Sequence, residues 1–235
     1  MITSTENREM FDRIAPYYDG TNKILSLGLD RYWRRRAVTR LAPSAGHEYL
    51  DLGCGTGDIA LEMLRTQPNC RVTGIDPSEG MLELGRRKVS DAGLDTAITL
   101  VKADALALEF PDDSFDAAIT AFCLRNITDR RRAVEEIHRV VRPGGSLVIL
   151  ELTEPGGPLM KPLFRVYTNV VFPLVTGLMS SIPAYRYLAA SMAHFPKPDS
   201  IASTMAQAGF ADTEFSFLTF GIVTLFVGRV AAEKV

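Results

Sequence analysis

Acidic residues and glycines around one short loop are the first feature of this sequence that could do chemistry. An apolar segment runs into Asp51 and then into a loop that contains Gly53, Gly55, Thr56 and Gly57. Glycines at a strand-to-helix turn let a ligand approach the backbone closely, and the following helix directs its first N–H groups at that ligand. The loop therefore suits a nucleotide or a nucleoside, and the neighbouring charges have to decide between them.

The acid that follows the loop argues against phosphate. The dinucleotide fingerprint has glycines at relative positions one, three and six, but the sixth position here is Asp58. A carboxylate at a helix N-terminus repels phosphate, and a P-loop fails because the loop has no lysine. Asp51 and Asp58 instead favour a positively charged nucleoside such as S-adenosylmethionine. The plainer alternative is that Asp58 only favours the helix dipole and Asp51 only caps the turn.

Two more acids stand at the ends of predicted strands. Asp76 closes "RVTGID", at a distance from the loop that suits a carboxylate on ribose hydroxyls, although it could be no more than a cap before Pro77. Asp104 ends "AITLVKAD", where it could accept a hydrogen bond from an adenine amino group while the backbone N–H of Ala105 donates one. Three acids at successive strand ends predict one nucleoside site.

Alternating strands and helices must position these groups. Between residues 46 and 155, apolar segments rich in β-branched residues alternate with amphipathic helical segments, and the connections are short. That rhythm predicts an α/β fold with a doubly wound, mostly parallel sheet. Two further strands in the tail, separated near Gly221, are expected to form a hairpin at the sheet edge and bring the total to seven.

We expect the whole chain, residues 1–235, to form a single domain. Residues 1–45 are predicted to be helical, with a break at Pro16, and to form a lid. Residues 46–155 are the expected cofactor-binding core, residues 156–198 a helical cap insertion, and residues 199–235 the final helix and strands. Residues 166–185 are uncharged, but polar residues and two prolines interrupt them, so we predict no membrane span there.

Composition limits the partners and the location. A net charge of −2 provides no global attraction for nucleic acid, so no nucleic-acid partner is expected. Three cysteines match neither a disulfide framework nor a zinc pattern, and the three histidines have no metal-ligand spacing, so we expect no metal site. The polar, charged N-terminal segment does not look like a secretion signal. We therefore expect a cytoplasmic protein.

With these residues in place, the chain resembles the Rossmann-like class I S-adenosylmethionine-dependent methyltransferases. The segments "MFDRIAPYYDGTNKILSLGLDRYWRRRAV", "FCLRNITDRRRAVEEIHRVVRPGG" and "YRYLAASMAHFPKPDSIASTMAQAGF" are similar to the C-methyltransferase family of menaquinone and ubiquinone biosynthesis. Cys123 stands where that family usually has glycine, and Phe220 and Phe226 stand where glycine and histidine are expected. The resemblance implies S-adenosyl-L-methionine as cofactor, held by Asp51, Gly53, Gly55, Thr56, Gly57, Asp76, Asp104 and Ala105.

The resemblance also implies the reaction, methylation of a ring carbon of a demethylmenaquinol or a 2-polyprenyl-6-methoxybenzoquinol. A quinol carbon becomes nucleophilic when its hydroxyl loses a proton, and phenols have a pKa near 10. Arg125 is the candidate for stabilising the phenolate or orienting a water, and Asn126 for orienting the quinol oxygen. Tyr18 is expected in the lid. The alternatives are that "RN" only caps the next helix and that Tyr18 is an ordinary buried tyrosine.

The expected partner is thus a lipophilic quinol. The apolar segment 158–183 could line an entrance for a prenyl tail or lie against the inner face of the membrane, with an ordinary core-covering helix as the alternative. A homodimer is left open. Two other functions also stay open: a methyltransferase for a phospholipid amine or another small molecule, and a non-catalytic binding module.

Overall fold

Seven strands form one sheet in the centre of the computed structural model, which describes residues 4–171, 187, 190–192 and 194–232. The strands are β1 (Glu48–Leu52), β2 (Arg71–Asp76), β3 (Ile98–Lys102), β4 (Phe115–Ala121), β5 (Val141–Leu152), β6 (Phe210–Leu218) and β7 (Val223–Val230). The helices among the described residues are α1 (Ser4–Leu25), α2 (Leu29–Leu41), α3 (Asp58–Thr66), α4 (Glu79–Asp91), α5 (Arg130–Val140), α6 (Met160–Val166) and α7 (Pro198–Gln207).

The strand order is β3-β2-β1-β4-β5-β7-β6. The first five strands in this order pair in parallel, and β7 lies antiparallel between β5 and the edge strand β6. The order reverses between β1 and β4, and ligands of such sheets bind outside the carboxyl ends of the strands at that point. The predicted fold class and the predicted tail hairpin are confirmed.

Apolar layers cover both faces of the sheet. In β1, Leu50 and Leu52 belong to one buried cluster and Tyr49 to the other, as the alternation of side chains along a strand requires. The Tyr49 cluster is closed by residues of α2, α3 and α4, and the opposite cluster by residues of α5 and α7. A parallel sheet buried on both faces has near-continuous apolar strands, which explains the apolar segments of the sequence.

Helix α1 differs from the expectation, because it continues from Ser4 to Leu25 through Pro16. Proline removes one helical hydrogen bond, the one that would reach the Asp12 carbonyl, and this normally disrupts a helix. Contacts with α4 compensate: Asp12 Oδ1 accepts hydrogen bonds from Ser78 Oγ at 2.6 Å and from the Gly80 backbone N–H at 3.0 Å. The predicted break was wrong because these tertiary contacts hold the helix together.

Two side chains cap the helices beside the predicted site. Ser78 accepts a hydrogen bond from the Met81 N–H and caps α4. Asp129 accepts one from the Arg132 N–H and caps α5. Arg125 and Asn126 lie before it in a separate 3₁₀ turn, Leu124–Asn126. The alternative that "RN" caps α5 is therefore wrong.

Only part of the expected cap insertion falls within the described residues. Helix α6 continues into a π-helical turn at Tyr167–Val171, and the rest of the apolar segment 158–183, residues 172–183, lies outside the described residues. No described helix has both the length and the apolar character needed to cross a membrane. The assignment of residues 156–198 as a cap therefore stays a prediction.

Candidate active site

A cleft of about 390 Å³ lies at the carboxyl ends of the parallel strands, below α1. This volume is in the range of small-molecule sites. Seven of the eleven candidate site residues line it, although they come from distant parts of the chain. They are Tyr18, Gly53, Gly55, Asp76, Asp104, Ala105 and Asn126. Asp51, Thr56, Gly57 and Arg125 are not among its lining residues.

Two glycines of the loop are required for different reasons. Gly53 has a φ of +71°, and a Cβ on this residue would lie 2.1 Å from Cys123 Sγ, so a larger residue would collide with the segment after β4. Gly55 has a φ of +52°, but a Cβ there would meet no atom within 4 Å. Gly55 therefore leaves open space at the cleft, into which a ligand can approach the backbone.

Asp76 joins the loop to the start of α4. Its Oδ2 accepts the Gly55 N–H at 2.9 Å, and its Oδ1 accepts the Ser78 N–H at 2.9 Å. Burial raises the pKa of Asp76 to about 6, although these two backbone donors lower it in part. Each carboxylate oxygen has a further lone pair, so Asp76 can still accept hydrogen bonds from a ligand in the cleft.

Asp51 lies behind the loop and is 1% exposed. Neither of its carboxylate oxygens has a hydrogen-bond partner among the described residues; the Ala60 backbone N–H lowers its pKa in part without reaching hydrogen-bond geometry. Burial, followed by the charge of Asp76, raises the pKa of Asp51 to about 8. An unpaired buried carboxylate is costly, and a cation held in front of the loop would reduce that cost.

Asp104 and Ala105 form the outer wall of the cleft, beyond the end of β3. Asp104 is exposed, and its Oδ1 accepts the Leu106 N–H at 2.9 Å, which fixes the turn. Asp104 forms an isolated bridge with Ala107. Both residues line the cleft, as Asp76 does.

The side chain of Thr56 belongs to a charged cluster outside the cleft. Thr56 Oγ1 donates to Asp19 Oδ1 at 2.7 Å and accepts from Lys88 Nζ at 3.0 Å. Lys88 also pairs with Asp19 and with Asp58, and Arg34 lies 3.4 Å from the second oxygen of Asp58. Asp58 is therefore neutralised by two cations, and the inference that its charge meets the ligand was wrong. Gly57 is the N-cap of α3, also behind the cleft.

A second, mostly apolar cavity of about 80 Å³ adjoins the cleft. Tyr18 and Phe122 are the two lining residues that both cavities share among the described residues. Helices α1 and α2, together with α6 and the π-helical turn that follows it, contribute most of its wall. Besides Phe122, the apolar part consists of Leu25, Trp33, Leu152, Phe164, Met192 and Ile222.

Arg125 is a wall residue of this second cavity and is held by Glu151. Arg125 Nη1 lies 2.6 Å from Glu151 Oε1, and the Arg125 backbone N–H donates to Glu151 Oε2 at 3.1 Å. Burial lowers the pKa of Arg125, but the charge of Glu151 and its hydrogen bond, together with the charges of Tyr18 and Cys123, outweigh burial and raise the pKa above its usual value. Arg125 Nε is buried without a hydrogen-bond partner among the described residues, so a donor stays available beside the cavity.

Tyr18 and Asn126 complete the polar groups between the cavities. Burial raises the pKa of Tyr18, and Arg125 offsets only part of that rise, so the hydroxyl stays protonated at neutral pH. Asn126 Oδ1 accepts a hydrogen bond from the Tyr187 hydroxyl at 3.2 Å, and its carbonyl accepts one from Asn7 Nδ2 at 3.2 Å. The first bond holds the Asn126 side chain at the wall of the cleft, and the second holds the Asn126 backbone carbonyl.

Reasoning from the sequence missed several residues of this region. Glu151 had a usable signal, because it is an acid within the apolar strand "SLVILEL", where a buried charge needs a partner. Phe122 and Lys88 had none, because their positions depend on contacts between distant elements. Among the described residues, no cluster of three or more His, Cys, Asp or Glu side chains could hold a metal ion.

Comparisons with known proteins agree over most of the chain. A family model described as the ubiE/COQ5 methyltransferase family matches residues 1–229. The ubiquinone/menaquinone biosynthesis C-methyltransferase UbiE of Geobacter sulfurreducens is 44% identical over 94% of this chain and 87% of its own. The demethylmenaquinone methyltransferase of Thermus thermophilus is also 44% identical, over 93% of this chain and 99% of its own.

Solved structures with the same fold have much lower identity. The [4+2]-cyclase SpnF superposes with a TM-score of 0.75 at 18% identity, covering 98% of this chain and 97% of its own. A methyltransferase of Thermotoga maritima, described as a possible histamine N-methyltransferase, superposes with a TM-score of 0.66 at 20% identity, covering 94% and 98%. Because one neighbour is a cyclase, this likeness shows the class I methyltransferase fold but does not identify the reaction, which has to be inferred from the residues of the site.

Proposed function

The chain belongs to the ubiE/COQ5 methyltransferase family, and on that premise we propose that it methylates a ring carbon of a demethylmenaquinol or of a 2-polyprenyl-6-methoxybenzoquinol, with S-adenosyl-L-methionine as the methyl donor. The observation that carries the proposal is that a nucleoside-sized cleft and an apolar cavity meet at Tyr18 and Phe122. A methyl transfer needs two substrates in line and at short range, which adjoining cavities provide.

The residues of the cleft fit the cofactor. Gly55 leaves the backbone open, and the unpaired carboxylate behind the loop, Asp51, suits a cation. When bound, S-adenosyl-L-methionine supplies an electrophilic methyl group on a sulfonium. In this proposal Gly53 and Gly55 hold the methionine part, and Asp76 accepts the ribose hydroxyls.

The outer part of the cleft and the loop's supports have separate roles. Asp104 and the Ala105 N–H bind the adenine at the cleft's outer wall. Thr56 acts indirectly, since its side chain joins the loop to Asp19 and Lys88. Gly57 is the N-cap of α3, so the helix begins directly after the loop and its first N–H groups lie next to the loop.

Arg125 is proposed to stabilise the quinol as it loses its proton. Its guanidinium stays charged, which makes it a poor base, and Nε is a buried donor without a partner among the described residues. A quinol oxygen in the adjoining cavity would satisfy Nε, and its developing negative charge would strengthen that hydrogen bond. The hydroxyl proton leaves to a water molecule, which Arg125 and Asn126 orient. Once the ring carbon carries the methyl group, that carbon loses its own proton and the quinol oxygen is protonated again.

Tyr18 is proposed to donate a hydrogen bond to a quinol oxygen at the boundary of the two cavities. Its raised pKa keeps the phenol protonated, so it is a donor at neutral pH. Tyr18 belongs to α1, which crosses the cleft with Asn7, Arg8 and Phe11 also in the wall. In this proposal α1 is the lid that separates the reacting groups from water.

A surface beside the second cavity is proposed to contact the membrane that contains the quinol. The α6 segment, residues 159–170, comprises α6 and the residues directly before and after it. Four exposed apolar residues recur along it at helical spacing: Leu159, Leu163, Val166 and Val170. Phe164 and Tyr167 of the same segment line the cavity. An exposed apolar stripe next to a cavity for a lipid suits contact with a bilayer surface. A position at the inner face of the membrane and a homodimer both stay predictions.

The experiment that tests the function is methyl transfer from labelled S-adenosyl-L-methionine. Purified protein is incubated in parallel with a short-chain demethylmenaquinol, a demethylated benzoquinol and phosphatidylethanolamine. We expect label in a quinol and none in the phospholipid. Label in the phospholipid alone would favour the alternative substrate, and cofactor binding with no transfer to any acceptor would favour a binding module.

A further inference from the structure

Phe122, the residue that follows β4, has a backbone conformation that its side chain disfavours. Its φ is +58°, in the left-handed region, where glycine and asparagine are common and bulky residues are outliers. Such strain persists only where surrounding contacts impose it, and it concentrates at functional sites. The presence of phenylalanine here suggests that the ring has a role that glycine could not fulfil.

Contacts from several elements hold Phe122 in this conformation. Its N–H donates to the Leu150 carbonyl at 2.7 Å, and its own carbonyl accepts from Arg125 Nη1 at 2.5 Å. The Trp33 ring meets the Phe122 ring edge-on, with centroids 6.1 Å apart. The guanidinium of Arg34 lies 5.8 Å from the Phe122 ring centroid. The ring is therefore fixed in place before any substrate arrives.

The Phe122 ring is also in the right place to meet a substrate. It is only partly buried, and it lines both the cofactor cleft and the apolar cavity. Its carbonyl accepts from the same guanidinium that faces the quinol oxygen in the proposed function. A flat substrate ring that places one oxygen at Arg125 and one carbon toward the cleft would pass beside the Phe122 ring.

We propose that Phe122 is the platform on which the aromatic ring of the acceptor stacks, which makes it a specificity-determining residue for aromatic over purely aliphatic lipids. This inference rests on the proposed function and adds the recognition of the ring to it. Aromatic pairs prefer offset-stacked or edge-to-face arrangements, and they contribute beyond the burial of apolar area. The prenyl tail would interact with the rest of the apolar wall and not with this ring.

Trp33 gives a direct measurement of occupancy. It is the only tryptophan of the chain, it lines the apolar cavity, and it touches Phe122. A farnesyl-substituted 1,4-naphthoquinone, which is oxidised and therefore not methylated, is added stepwise to the protein. The quenching of Trp33 fluorescence gives its Kd. Farnesol is then used as a competitor that has the tail but no aromatic ring. The affinity for S-adenosyl-L-methionine is measured separately by calorimetry.

Three substitutions distinguish the effect of the aromatic ring on quinone binding from the effect of the strained backbone. Phe122→Leu keeps an apolar side chain, Phe122→Tyr keeps the aromatic ring, and Phe122→Gly removes the ring and relieves the strain. We expect Leu and Gly to raise the naphthoquinone Kd about three- to tenfold, with farnesol and cofactor Kd values within about twofold of the original. The Tyr variant should retain the original naphthoquinone Kd. Phe122→Gly keeps the test valid if Phe122→Leu does not fold.

Two results would overturn the platform. One is an unchanged naphthoquinone Kd in the Leu or Gly variant, and the other is an equal loss of naphthoquinone, farnesol and cofactor, which would make Phe122 a structural residue. Failure of the proposed function looks different: the original protein would bind the naphthoquinone in a Phe122-dependent way but would not methylate the demethylated quinols. Methylation with a Phe122-independent Kd would reject the platform alone.

Discussion

The guanidinium of Arg125 is paired with Glu151 at 2.6 Å, at a place where both side chains are almost completely removed from solvent. Glu151 also accepts the backbone N–H groups of Arg125 and Leu152. The carboxylate therefore fixes both the position and the charge of Arg125. Removing one partner of such a buried pair leaves an uncompensated charge, typically at a cost of about 3–5 kcal/mol.

We expect Arg125→Lys to lower kcat with demethylmenaquinol roughly 100-fold, because a lysine keeps the charge but loses the fixed donor that faces the developing phenolate. The cofactor Kd should stay within about twofold, since Arg125 does not line the cleft. Single-turnover kinetics and calorimetry measure the two quantities. An unchanged kcat would remove Arg125 from the mechanism. Arg131→Lys, at an exposed ion pair of α5, is the matched control.

Asp76→Ala is expected to weaken cofactor binding by about tenfold or more, because it removes a charged acceptor of the ribose and releases the Gly55 N–H. Calorimetry of the variant with S-adenosyl-L-methionine gives the change. Asp95→Ala, at an exposed acid of the loop before β3, should leave the Kd unchanged. Equal affinities in all three proteins would reject the ribose assignment.

Asp51 predicts how the stability of the ligand-free protein depends on pH. Its folded pKa of about 8 lies above the usual value of 3.8, so the folded state holds a proton that the unfolded state has lost. The contribution of this protonated carboxyl to the free energy of unfolding is fully present below about pH 4. It is lost as pH rises toward 8, by up to about 1.4 kcal/mol per pH unit.

In Asp51→Asn this pH-dependent loss should be absent. Urea unfolding of the original protein and the variant at several pH values between 4 and 8 compares the two slopes, and the difference isolates Asp51 from other titrating groups. Parallel curves would show that the Asp51 carboxyl is not perturbed in this way.

The fold of the protein can be predicted from the sequence more reliably than the partners of its charged side chains. The alternation of strands and helices, the loop and Asp76 follow from local patterns, and the structure brings them to one edge of the sheet. The pairing of Asp58 with Lys88 and Arg34 could not be read locally, because it joins three separate helices. The continuity of α1 through Pro16 likewise depends on contacts of Asp12 with α4, which no rule about proline includes.

The cluster of Asp19, Thr56 and Lys88 is predicted to hold α1 over the cleft. Partly exposed ion pairs contribute up to about 1 kcal/mol each, so Asp19→Asn should raise the cofactor dissociation rate about two- to fivefold. Stopped-flow displacement of the cofactor measures that rate, which should respond to salt in the original protein and less in the variant. Glu9→Gln, at an exposed position of the same helix, is the control. Identical dissociation rates in the original protein and Asp19→Asn would show that this cluster does not hold α1 over the cleft.

The exposed stripe on the α6 segment predicts binding to lipid. Leu159 and Leu163 are 76% and 59% exposed, and replacing both with serine should lower partitioning onto phosphatidylcholine vesicles by about tenfold or more. Co-sedimentation measures the partitioning. Phe217→Ser, at an exposed position of β6, should have no effect. Undiminished sedimentation of the double variant would reject this surface as the contact.

In the proposed reaction the methyl group is transferred to a ring carbon of a quinol, and the position of an isotopic label in the product shows whether this happens. The protein is incubated with S-adenosyl-L-methionine carrying a ¹³C-methyl group and with a short-chain demethylmenaquinol, and the product is analysed by NMR. We expect a carbon-bound methyl on the quinol ring, formed at a rate that falls in Arg125→Lys. A methyl group on oxygen, or no labelled quinol from protein that binds the cofactor, would contradict it.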